Sequence, residues 1–216
     1  MTATSFVSCL REMMDLQHTH NQQVHPQWYK QGYPFHRAIW TECAELLDHY
    51  GWKWWKLQEP DLVQVKLEIV DIWHFGLSMI IVAEQSIEEL AREMVAQEQD
   101  CSVVGPSFIP SVETLAHQAL DGRFDTMAFM DMMNALPFPL HDLYGIYKGK
   151  NVLNRFRQAN GYKDGSYQKF WNGKEDNVHL AELVLTLDPY HSKFLSDLYS
   201  QLDNRYRELT EKRQHP

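Results

Sequence analysis

Apolar residues recur at steps of three and four along nearly the whole chain, and a sustained alternation of apolar and polar positions, the strand signal, appears nowhere. The pattern predicts helices near 4–23, 34–50, 61–84, 86–98, 111–120, 123–134, 139–159, 176–187 and 190–212. The punctuation agrees: Gly51 closes the second helix, Pro60 and Asp61 open the third, and Gly161 closes the seventh. Residues 101–110 and the Gly- and Lys-rich stretch 161–174 read as loops, and no internal repeat or low-complexity tract is present. The expected fold class is all-α, a helical bundle with an added smaller helical segment after residue 100.

Four acids interrupt the apolar pattern. In the second helix Phe35, Ile39, Cys43, Leu46, Leu47 and Tyr50 define the buried stripe, and projection onto the same wheel puts Glu42 inside it and Glu45 on its border. The third helix is apolar over nearly its whole circumference, as a central buried helix would be; Glu68 and Asp71 lie on its narrow polar strip with Gln64, His74 and Ser78. Each helix thus carries an acid-x-x-acid pair one turn apart, and two such faces packed together would bring four negative charges into one place. That arrangement requires cations. Hard oxygen donors without cysteine favour Mg²⁺, or Mn²⁺, over zinc, and Mg²⁺ commonly completes its shell with substrate phosphates, so a phosphoanhydride substrate follows. Acids solvated or salt-bridged on helix surfaces remain the alternative. A di-iron bundle would want two Glu-x-x-His elements, and only His74, three after Asp71, could serve.

Other faces carry further candidates. In the first helix Gln17 and Asn21 interrupt an apolar side made by Phe6, Leu10, Met13 and Val24; carboxamides suit the edge of a neutral nucleobase, though satisfied core amides would look the same. The aromatic run Trp52 to Lys56 follows the acidic helix and could wall a base pocket, or serve as core or interface. In the seventh helix Lys150, Asn154 and Arg157 share a face opposite Val152, Leu153 and Phe156, and Tyr162 and Lys169 follow in the loop. Such a face suits a polyphosphate tail, with a solvated basic helix as the bland alternative. The pattern is not a P-loop, and neither a nucleophile elbow, a dinucleotide-binding fingerprint nor HExxH is present.

Composition narrows the function classes. Twenty Lys and Arg against 29 Asp and Glu give a net charge of −9, and basic residues never run longer than two, which argues against a nucleic-acid backbone binder. The longest apolar run, residues 75–83, is far short of the roughly 20 residues of a membrane span, and the amino-terminal stretch does not read as a signal peptide. Three cysteines without CxxC spacing argue against a disulfide framework and fit a reducing cytoplasm.

The combination Glu42-Cys-Ala-Glu45, the following Leu-Leu-Asp-His-Tyr-Gly-Trp-Lys-Trp-Trp-Lys56, Glu68-Ile-Val-Asp71, and Gly149-Lys-Asn-Val-Leu-Asn-Arg-Phe-Arg-Gln-Ala-Asn-Gly-Tyr-Lys163 closely resembles the dimeric all-α dUTPases of the all-α nucleoside triphosphate pyrophosphatase superfamily, over residues from about 13 to 170. The resemblance implies Mg²⁺-dependent hydrolysis of dUTP, and of dUDP, to dUMP, with pyrophosphate released from dUTP. It further implies Glu42, Glu45, Glu68 and Asp71 as metal ligands, with Glu42 orienting or deprotonating the attacking water. Gln17 and Asn21 would lie near uracil and sugar, with His20 as the alternative to Asn21; Trp54 and Phe75 would be pocket aromatics. Lys150, Asn154, Arg157, Tyr162 and Lys169 would contact phosphates and sugar. A homodimer is implied, and one domain over 1–216 whose core is about 4–98 and 139–212 and whose smaller part, about 100–138, is mobile and closes over the nucleotide. A housecleaning pyrophosphatase for another nucleotide and a non-catalytic helical interaction protein are the competing readings.

Overall fold

The computed structural model describes residues 1–99, 108–136 and 138–211. Its helices are α1 (Ala3–Val24), α2 (Phe35–Tyr50), α3 (Leu62–Val82), α4 (Ile87–Gln99), α5 (Phe108–Leu120), α6 (Thr126–Ala135), α7 (Leu140–Ala159), α8 (Asp176–Val184) and α9 (Phe194–Glu211), with a short 3₁₀ turn at Trp28–Lys30. The periodicity therefore locates every α-helix of the described residues, though not the 3₁₀ turn, and the fold is all-α. Differences fall at ends. Helix α5 starts at Phe108 rather than 111, because Pro110 in a first turn needs no N–H partner; residues 101–107 of the expected loop lie outside the described residues. The expected loop 161–174 reaches into a small antiparallel hairpin, β1 (Phe170–Trp171) and β2 (Lys174–Glu175), with Phe170 opposite Glu175 and Trp171 opposite Lys174. Its turn is Asn172-Gly173 with φ of +49° and +83°, the left-handed pair that a tight two-residue hairpin turn demands.

The chain divides into two compact units, 1–144 and 145–216, and the division falls within α7. In the first, α3 packs against α2 and α1, α1 against α4, α2 against α5, and α6 against both α4 and α5. Helix α3 is buried nearly all round, as its unbroken apolar pattern requires, and Trp73 stacks on Phe129 of α6 at 5.0 Å between ring centres. Gly76 permits this packing: a Cβ there would lie 2.4 Å from the Phe124 ring. Helices α5 and α6, the described part of the segment expected as a separate smaller part, belong by their packing on α2 and α4 to this first unit.

In the second unit α8 and α9 pack on each other and the hairpin joins them. Phe156 of α7 is its centre, ringed edge-on by Tyr167, Trp171, Tyr199 and Tyr206.

Candidate active site

Packing of α2 on α3 carries out what the two acid pairs foreshadow. Glu42 of α2 and Glu68 and Asp71 of α3 each offer a carboxylate oxygen, and these three oxygens lie within 4.8 Å of one another. Glu68 is buried, while Glu42 and Asp71 are half-buried. Burial first, then the charge of Asp71, a hydrogen bond with Glu68 and the charges of Glu68 and Glu45, push the Glu42 carboxyl up to about 8. A cation among these carboxylates would offset that crowding. The donor set, hard oxygens only and at mutual distances that one divalent ion can bridge, fits a divalent metal. Glu45 lies on the exposed side of α2, outside this trio, although its charge reaches Glu42. His49, one turn beyond Glu45, approaches Glu68 at 3.7 Å. Cys43, beside Glu42, is buried, and burial, with Glu42's charge, pushes its thiol up to about 12, so it is an inert neighbour.

Gln17 and Asn21 on α1 are both buried and face α3. Gln17 Nε2 donates to Asn21 Oδ1 (3.1 Å), Asn21 Nδ2 donates to Ser78 Oγ (2.9 Å), and Gln17 Oε1 accepts from His74 Nδ1 (2.7 Å). The neighbouring His20 loses basicity through burial, and His18 accepts from Trp28 Nε1 at 3.3 Å. Phe75 is half-buried on α3. Trp54 is 89% exposed, edge-on to Trp55, in the segment that leaves α2, and residues 51 and 53–58 there line an open cleft of about 510 Å³.

In the second unit, the face of α7 read as basic is largely covered. Lys150 is buried with Nζ 3.4 Å from Asn177 Oδ1. Arg157 forks onto Asp176, Nε to Oδ2 and Nη2 to Oδ1, both at 2.8 Å, and also reaches Asn177 (3.2 Å) and Asn154 (3.4 Å). Asp176 is fully buried and takes a third bond from the Tyr167 hydroxyl (2.8 Å). Burial would raise its carboxyl, but the bonds and charge of Arg157 outweigh that and hold it below the ordinary aspartate value. Tyr162 is exposed with its ring 5.9 Å from the Arg157 guanidinium, and Lys169 pairs with Glu175 at 3.4 Å.

A family model described as dUTPase matches residues 9–162. The chain belongs to the dUTPase family. A dUTPase hydrolyses dUTP, so this chain is a dUTP diphosphatase whose substrate is a small nucleotide, and the requirement of such enzymes for a divalent metal agrees with the carboxylate trio. No curated protein matches the chain. Among the described residues no helix is long and apolar enough to cross a membrane.

The dUTPase match takes in Gln17, Asn21, the four acids, Trp54, Phe75, Lys150, Asn154, Arg157 and Tyr162, and stops short of Lys169. Asp176 and Asn177, which organise Arg157 and Lys150, also lie beyond it. Sequence reading passed over both, and over Ser78 as the partner of Asn21. The available signal for the first pair was weak: an acid and an amide opening a helix usually cap it. For Ser78 there was a signal, its place on the polar strip of an otherwise apolar helix.

Proposed function

We propose that this dUTPase works with Mg²⁺, held by Glu42, Glu68 and Asp71 with Glu45 as a further ligand, and that Glu42 orients or deprotonates the attacking water. The observation that supports this most is the approach of three carboxylate oxygens from two helices to within 4.8 Å. Bound there, a divalent cation supplies neutralisation of the phosphate oxygens and an acidified water. The protein's own part is to hold the carboxylates on rigid, buried helices, so that no reorganisation is required when charge develops on the phosphates. Glu42 would orient or deprotonate that water once metal binding has displaced its own proton.

Gln17 and Asn21 contact the uracil and sugar in this reading, with Trp54 and Phe75 as aromatic walls of the pocket. Lys150, Asn154, Arg157, Tyr162 and Lys169 contact phosphates and sugar, Arg157 as a planar fork and the lysines as point charges. dUDP shares the base, sugar and first two phosphates of dUTP and is accepted as well. The enzyme acts as a homodimer, the commonest closed assembly, with the exposed Trp40, Trp52, Trp54, Trp55 and Leu57 as apolar surface available for burial. Its buried cysteines Cys9 and Cys43, in no disulfide, suit the cytoplasm.

Pyrophosphate release from dUTP, dCTP, dTTP and UTP, with and without Mg²⁺, tests the reading. Selective, Mg²⁺-dependent turnover of dUTP is expected, and Glu42→Gln and Glu68→Gln are each expected to lower kcat by about a thousandfold or more, a loss typical of charge-stabilising groups, while the helical circular dichroism stays intact. Either variant keeping most of its rate refutes the ligand assignment.

A further inference from the structure

Four polar side chains, Gln17, Asn21, His74 and Ser78, are each more than nine-tenths buried between α1 and α3. Their hydrogen bonds form a closed, one-way circuit. His74 Nδ1–H donates to Gln17 Oε1, Gln17 Nε2 to Asn21 Oδ1, Asn21 Nδ2 to Ser78 Oγ, and the Ser78 hydroxyl returns to the His74 carbonyl at 3.0 Å.

The direction of this circuit is set by the single proton of Ser78. An amide flipped alone would oppose two acceptors or two donors. With both amides flipped, Ser78 would have to give its proton to Asn21 Oδ1, the His74 carbonyl would lose that bond, and His74 would need its other tautomer. The reversed circuit has three bonds where the observed one has four, and the lost bond biases the direction by about tenfold. Direction matters to a base. Uracil offers an N3–H donor beside an O4 acceptor, and cytosine offers the opposite pair, an N3 acceptor beside an amino donor. An amide free to flip reads both; an amide held one way reads one.

We propose that Ser78 is a positioning residue that locks the Gln17 and Asn21 amides in the orientation that reads uracil and rejects cytosine. This rests on the reading above in which those two amides contact the base. Ser78 acts through the Asn21 amide it holds and not by touching the nucleotide.

Steady-state kinetics of the full-length enzyme with Mg²⁺ and either dUTP or dCTP test it, for Ser78→Ala, Ser78→Thr, His74→Leu and Gln17→Ala. Ser78→Ala is expected to raise the ratio of kcat/KM for dCTP over dUTP by about tenfold, mainly through KM, as loss of the one directing bond requires, whereas His74→Leu, which removes one bond from either direction of the circuit, is expected to leave the ratio unchanged. Ser78→Thr is expected to restore the wild-type ratio, because it keeps the hydroxyl that donates to the residue-74 carbonyl. Ser78→Ala deletes a single oxygen and carries the test if His74→Leu fails to fold. If Gln17→Ala loses discrimination while Ser78→Ala keeps it, the amides read the base without the circuit and the proposal is overturned. If Gln17→Ala itself keeps full discrimination, the base-reading assignment fails, and the proposal with it.

Discussion

With its carboxyl pushed up to about 8, Glu42 keeps its proton at neutral pH in the metal-free protein, whereas in the unfolded chain it ionises near 4.5. The folded state therefore binds the extra proton between those values. Its contribution to stability is complete below about 4.5 and is lost as pH rises through about 8. The metal-free protein is expected to lose melting temperature over that window, and Glu42→Gln, which cannot ionise, to flatten the loss and raise the melting temperature at pH 8.5 by about 2 °C or more, the shift of a modest stability gain in a chain of this size. Differential scanning calorimetry with chelator checks this; parallel curves for the two proteins would contradict the crowding of Glu42. The same proton must leave when a cation binds. Titrating Mg²⁺ into weakly buffered protein at pH 7 is expected to release close to one proton, measured by pH-stat. Asp176 shows the opposite sign: held below its ordinary value by Arg157, it contributes stability above the unfolded value of 3.8 that is lost as pH falls through the lower folded one. Asp176→Ala leaves Arg157 with an uncompensated charge, and a loss of about 3–5 kcal/mol in urea unfolding is expected.

At the scale of the element, the helices follow their apolar stripes, and the exceptions have local causes. Pro110 extends α5 backwards because a first turn tolerates proline, and Asn172-Gly173 makes a hairpin because both residues accept positive φ. The basic face of α7 is a different matter. Its spacing was legible, but its burial was not, because Asp176 and Asn177, which engage Arg157 and Lys150, stand far along the chain at the start of α8. The same limit hid the role of Gly76, whose missing Cβ makes room for a ring at position 124. Gly76→Ala is expected to destabilise by about 1–3 kcal/mol despite its better helix propensity, since Phe124 would be pushed against Trp73 and Phe129. Denaturant melts measure it; a stabilised variant would show that the ring moves away freely.

For the whole molecule, the family match covers the first unit's site and reaches into α7, while the contacts that organise Arg157 continue beyond residue 162. The net charge of −9 makes no obstacle to a polyanionic nucleotide, because acids gathered around a cation become the attraction for phosphates. Exposed tryptophans at 40, 52, 54 and 55 on a chain of 25.5 kDa are expected to be covered by a second copy, and sedimentation equilibrium should return twice that mass. A monomer at micromolar concentration would refute the homodimer.

The sequence by itself determined the all-α class, the α-helices of the described residues and the two acid pairs, each one turn apart on its helix. All of these rest on short-range periodicity and residue type, which a helix converts directly into a face. Only the tertiary structure decided that three of the four acids converge while Glu45 stays outside, that Gln17 and Asn21 close a circuit with His74 and Ser78, and that Arg157 is clasped by Asp176. The physical reason is the same in each case. A helical wheel states the direction a side chain takes from its own axis, but the partner it meets is set by the packing of another helix, and a low-dielectric interior makes that partner decisive for charge, proton and hydrogen-bond direction.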